Sequence, residues 1–147
     1  MLQRITLAIM FFFFSMLLSG CGGPDLPDTF RVIGTITHHG QPVAGYAVLF
    51  NPTKGGRPAR GETDDEGKFT LSTFDFGDGA ISGDHNVAIS FITDYKYLPG
   101  EEPEGESQVV QKPSVTIPDK YGDPEMSGLK LTVEETGKNN FDIILED

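Results

Sequence analysis

The feature that most constrains this chain is a period-two alternation of apolar and polar residues, repeated in short runs and broken by turn-forming residues. Phe30, Val32, Gly34 and Ile36 fall on one face of an extended segment, with Arg31, Ile33, Thr35 and Thr37 on the other. That is the mark of a half-buried strand, because successive side chains of an extended backbone point to opposite sides. The pattern returns at Phe69 and Leu71 against Lys68, Thr70 and Ser72, and at Val87, Ile89 and Phe91 against Ala88, Ser90 and Ile92. Near the end it recurs twice, as Leu129, Leu131 and Val133 against Lys130, Thr132 and Glu134, and as Phe141, Ile143 and Leu145 against Asp142, Ile144 and Glu146. No segment keeps a helical period of about 3.6 for the length a helix needs.

Turn signals separate these runs: His39-Gly40-Gln41-Pro42, Asp65-Glu66-Gly67, Ser82-Gly83-Asp84 and Gly137-Lys138-Asn139-Asn140. Glycine supplies positive φ, and Asp or Asn side chains bond back to nearby amides. With Val43–Phe50 and Arg60–Thr63 added, about seven short strands are expected, which predicts an all-β chain folded as a single antiparallel β-sandwich.

The first 20 residues stand apart. Arg4 lies in a short polar start, an apolar run of 14 residues extends from Ile5 to Leu18, and small residues follow at Ser19 and Gly20. This is the layout of an export signal, and the run is shorter than the roughly 20 residues that span a bilayer core as a helix. Leu18-Ser19-Gly20-Cys21 resembles the bacterial lipobox, which implies cleavage between Gly20 and Cys21 and a diacylglycerol on the Cys21 sulfur. Lipid attachment is physically sound, since each buried CH₂ contributes about 0.8 kcal/mol and several chains on one residue hold firmly. Cys21 is the only cysteine in the chain, so it has no intrachain disulfide partner. Residues 21–28, rich in Gly, Pro and Asp, read as a flexible tether. Residues 29–147 are then the folded domain, of a size suited to one core.

The formal net charge of the whole chain is −11, and loss of Arg4 makes it one unit more negative. Such a surface opposes nucleic acid, which needs a basic patch to displace counterions. The expected partners are the membrane, through the N-terminal lipid, and an envelope protein or polysaccharide. Gly22 stands where an aspartate would resemble an inner-membrane retention signal, so the outer membrane is the expected address.

One long segment interrupts the pattern. Residues 94–120 carry Glu101, Glu102, Glu104 and Glu106 and are punctuated by Pro99, Gly100, Pro103, Gly105 and Pro113. Loops of this length are usually functional or disordered. Here the expectation is a mobile acidic loop, with Tyr95 and Tyr97 at its start as candidate binding residues.

Val32-Ile33-Gly34-Thr35-Ile36 followed by Gly40-Gln41-Pro42-Val43-Ala44-Gly45-Tyr46-Ala47-Val48, and then Thr63-Asp64-Asp65-Glu66-Gly67-Lys68-Phe69, resembles carboxypeptidase-regulatory-like domains. Their pattern is roughly V-x-G-x-V, a turn, G-x-P-V-x-G-A-x-V, and later a T-D-x-x-G-x-[FY] hairpin. The resemblance covers about residues 30–92 and implies a transthyretin-like, Ig-like sandwich. Ile117 to Pro124, then Ser127-Gly128-Leu129, is similar to the tail of small bacterial lipoproteins built from this domain. What the resemblance implies is a non-catalytic accessory module with no cofactor.

The candidate sites are few. Asp64, Asp65 and Glu66 are hard oxygen ligands that could hold calcium, with Asp75 and Asp78 flanking another glycine-containing loop. Their spacing does not match a D-x-[DN]-x-[DN]-G loop, so the favoured reading is a turn capped by Asp64. His38 and His39 adjoin a turn, and on an extended chain their side chains would point opposite ways and not share a metal with each other or with His85. There is no G-x-S-x-G elbow, and no predicted helix follows a glycine cluster to cradle phosphate. The end Ile144-Leu145-Glu146-Asp147 also differs from the Tyr-Arg-Gly-Ser of transthyretin-like hydroxyisourate hydrolases. No catalytic residue is therefore assigned. The alternatives to a binding module are a structural envelope component without a specific ligand, or such a hydrolase.

Overall fold

The alternation becomes a set of short strands in the computed structural model, which describes residues 26–91, 113 and 115–147. In chain order these are β1 (Thr29–Phe30), β2 (Val32–His38), β3 (Gln41–Pro42), β4 (Tyr46–Pro52), β5 (Ala59–Glu62), β6 (Lys68–Thr70), β7 (Ala80–Ile81), β8 (Gly83–Phe91), β9 (Lys130–Val133) and β10 (Asn139–Leu145). One turn of 3₁₀ helix at Asp119–Gly122 interrupts them. The described part of the chain is all-β, as the alternation predicts, and the runs expected from sequence correspond to β2, β4, β5, β6, β8, β9 and β10. The remaining strands are two residues each, too short to show any period.

Two four-stranded sheets face each other. In one, β2 lies between β10 on one side and β3 and β6 on the other; in the other the order is β5-β4-β8-β9. A bridge between Arg60 and Ser72 ties β5 to the residues after β6, through amide bonds of 2.9 and 2.8 Å in the two directions. A third, two-stranded sheet joins β1 to β7. Ser82-Gly83-Asp84 is therefore no hairpin: it is the bend by which the chain leaves β7 and enters β8.

The pairings are antiparallel except one, since β10 runs parallel to β2 over Asn139–Leu145 and Val32–His38. A parallel neighbour needs a crossover connection, and here the chain supplies it by passing from β9 in the opposite sheet. The turn after β9 is held by Asn139, whose side chain accepts from the Glu134 amide and donates to the Glu134 carbonyl, both at 2.9 Å.

The core lies between the sheets. Val32 and Ile36 of β2, Phe69 and Leu71, and Ile143 and Leu145 of β10 meet Val48 and Phe50 of β4 and Val87 and Ile89 of β8. Phe50 is fully buried, with the rings of Phe69 and Phe141 at 6.2 and 5.9 Å, within the range of favourable aromatic pairs. Gly34 sits at a core-facing position of β2 opposite both Phe69 and Phe141. A Cβ there would lie 2.6 Å from Phe69 Cζ and against the Phe141 carbonyl oxygen, so the space of its missing side chain is used by the Phe69 ring and the β10 backbone.

Candidate functional site

The outward faces of the same strands build a groove. Ile33 and Thr35 of β2, Lys68 and Thr70 of β6 and Arg60 and Glu62 of β5 point away from the core, and with Arg31 and Phe76 they line a concave surface of about 700 Å³. That is within the usual size range of ligand sites. Three of its side chains are cations, Arg31, Arg60 and Lys68, against the carboxylates of Glu62 and Asp64. Lys68 pairs with Glu66 at 3.3 Å; among the described residues Arg31 and Arg60 make no ion pair. In a chain of net charge −11, this is a patch near local charge balance, with Arg31 and Arg60 set against Glu62 and Asp64.

Phe76 completes the groove with a ring that is fully exposed. It is displayed by an ordered loop organised around Asp78, whose carboxylate accepts from the amides of Thr73 at 2.6 Å, Phe74 at 2.9 Å and Asp75 at 3.1 Å. The Thr73 hydroxyl closes the loop by donating to the Gly79 carbonyl at 2.7 Å. Burial works to raise the Asp78 pKa, but these amides and the Thr29 hydroxyl outweigh it and hold the carboxyl below the ordinary aspartate value. The loop thus keeps a large apolar side chain in water, where it would normally be hidden.

A second cluster forms at the far end of β2. His38 is buried and pairs with Gln41, leaving His39 and Gly40 as a two-residue hairpin turn. Both have positive φ, 51° and 75°, as a type I′ turn requires. This corrects the expectation of opposed side chains: alternation holds only for extended backbone, and the left-handed turn brings the two imidazole rings to 4.2 Å. Parallel pairing of Leu145 with His38 carries Asp147 to the same place. Its Oδ1 lies 3.2 Å from His38 Nε2 and its Oδ2 3.1 Å from His39 Nε2. The hydrogen bond and charge of His39, then of His38, hold the exposed Asp147 carboxyl below its ordinary value.

His85 is elsewhere, almost wholly buried beside Phe50 at 5.8 Å. The nearby Gly83 carbonyl, 2.9 Å from Nδ1, can only accept, so Nδ1 carries the proton. Nε2 is a buried lone pair with no partner among the described residues. Burial disfavours the imidazolium and lowers the His85 pKa, against the opposing pull of the Gly83 carbonyl and Asp84.

Asp64 caps the β5–β6 turn, its Oδ1 accepting from the amides of Glu66 at 3.0 Å and Lys68 at 2.8 Å. Asp64, Asp65 and Glu66 do not converge into a ligand group; among the described residues the group that does is His38, His39 and Asp147. Gly20, Cys21, Tyr95 and Tyr97 lie outside the described residues, as does most of the acidic segment. Its end, from Val115, packs onto the sandwich: Tyr46 donates to the Val115 carbonyl at 2.9 Å, and Ile117 and Tyr121 are buried.

Sequence reading missed Arg31, Arg60 and Phe76 as one surface, and Asp147 as a partner of the histidines. The outward placement of both arginines and the aromatic directly before Gly77 were visible signals, but only strand order brings them together. No protein-family model matches the chain, and no curated protein or solved structure matches it.

Proposed function

We propose that this protein is an envelope lipoprotein, anchored through Cys21, whose β-sandwich is a non-catalytic binding module with the arginine-bearing groove as its binding face. The observation that carries this reading is the juxtaposition of Arg31 and Arg60, without ion-pair partners among the described residues, with the exposed ring of Phe76. Arginine presents a planar fork suited to carboxylate and phosphate, and an exposed aromatic offers a stacking surface for a sugar ring or an apolar side chain. The ligand class this favours is an anionic envelope polymer such as an acidic polysaccharide, with an acidic protein segment as the other form of the same chemistry. The anchor rests on Leu18-Ser19-Gly20-Cys21 at the end of the apolar run, and the carboxypeptidase-regulatory-like resemblance supports an accessory role.

Retention of the full chain on an immobilised acidic polysaccharide tests the groove. Arg31→Glu with Arg60→Glu should weaken retention by about tenfold or more, since each hydrogen bond to a charged group contributes roughly 1.5–3 kcal/mol. Phe76→Ala should weaken it further, and added salt should weaken the parent. Undiminished retention by the charge-reversed protein would remove the groove as the binding face. Separately, Cys21→Ala should abolish incorporation of labelled palmitate and release the protein from membranes.

A further inference from the structure

We propose that His38, His39 and Asp147 bind a divalent transition-metal ion of the zinc class. Two imidazole nitrogens and one carboxylate oxygen are a borderline donor set that suits Zn²⁺ and its neighbours in the series. The three ligand atoms lie within 4.8 Å of one another. An ion held at about 2.0–2.2 Å from each donor sets neighbouring donors roughly 3.3–3.6 Å apart at tetrahedral angles. His38 Nε2 lies 3.2 Å from Oδ1 and His39 Nε2 3.1 Å from Oδ2, so both imidazoles already flank the carboxylate, and rotation of the exposed Asp147 and His39 side chains brings one oxygen to both nitrogens.

The surroundings hold these donors in place. The His38 ring is buried at the end of the core-facing row of β2, and the hairpin turn fixes the backbone of His39. Asp147 is positioned by Tyr121, a buried residue of the 3₁₀ turn. The Tyr121 hydroxyl donates to the Glu146 carbonyl at 2.8 Å and accepts from the Glu146 amide at 3.0 Å, which locks the residue before the ligand. Both imidazoles now face a carboxylate that can only accept, so each presents Nε2–H; binding requires that proton to sit on Nδ1 instead, leaving both Nε2 lone pairs for the ion. The His39 and Asp147 side chains are 63% and 77% exposed, so the ion can enter from solvent. Three protein donors leave a fourth position for water or an outside ligand, as in open zinc sites. The cluster shares no residue with the groove, and the net charge of −11 favours cations.

The test uses the full chain in detergent, without a histidine tag and with Cys21→Ser to remove the thiol as a competing ligand. Calorimetric titration with Zn²⁺ should give one equivalent per chain and raise the melting temperature. Nitrogen-15 spectra should show the ring nitrogens of His38 and His39 shifting on binding, with those of His85 unmoved. His39→Asn, which tolerates the left-handed turn, and Asp147→Asn should each weaken affinity by roughly tenfold or more, a loss of the size seen on perturbing metal sites. Their metal-free melting temperatures serve as the folding control. Tyr121→Phe should weaken binding less, as expected of a positioning residue. Zinc affinity unchanged in both Asn variants, or shifts confined to His85, would overturn the assignment, as would failure of 100-fold excess zinc to bind.

Discussion

Gly34 and His39 sit on the same strand and its turn, and each departs from what alternation alone implies. Gly34 occupies a core-facing position with no side chain, because the Phe69 ring and the Phe141 backbone carbonyl fill the space from the two neighbouring strands. Gly34→Ala should therefore destabilise the fold by about 2–3 kcal/mol, an overpacking cost, read as a lower denaturation midpoint at unchanged slope. Adding Phe69→Leu should recover part of the loss; a neutral Gly34→Ala would show that the Phe69 ring and the β10 backbone yield freely. His39 departs in another way, since a positive φ turns its side chain toward His38. A glycine in a strand and a histidine before Gly40 were both readable, but which residues would crowd the first and meet the second depended on strand neighbours distant in sequence.

At the scale of elements, the β5–β6 turn was the most legible part of the protein because its interactions are local. The Asp64 amide donates to the Lys68 carbonyl and the Gly67 amide to the Asp64 carbonyl, both at 2.9 Å. Gly67 takes φ of 73°, and Asp64 Oδ1 binds two amides within four residues. Asp64→Ala should cost about 1 kcal/mol and lower the melting temperature by about 4 °C, with Asp64→Asn losing less. An equal loss in both variants would show that charge, not amide capping, is what the turn uses. The pairing of β10 with β2 is the opposite case. Its residues alternate as any strand does, and nothing local distinguishes a parallel neighbour from an antiparallel one.

Over the whole molecule, His85 and Asp78, two of the groups whose pKa values are depressed in the fold, contribute to the pH response. His85 is held neutral by burial, so its stabilising contribution is complete above the unfolded histidine value of about 6.5 and is lost as pH falls toward its lower native value. Asp78 is held charged by loop amides, so its contribution is complete above about 3.9 and is lost below that. In both windows the unfolded chain binds more protons, so stability rises with pH and is lost as the solution is acidified. Between pH 7.5 and 5 the parent should lose stability by no more than about 1.4 kcal/mol per pH unit through His85, while His85→Leu should show a flatter profile; identical profiles would remove His85 from the response. By itself the sequence determined the all-β class, the faces of the main strands and the β5–β6 turn, because these follow from period and from bonds between residues a few places apart. Only the tertiary structure decided that Arg31, Arg60 and Phe76 share a groove and that His38, His39 and Asp147 share a point. Those meetings depend on strand order, on one parallel register and on a left-handed turn, and such choices are settled by packing the two sheets against one core.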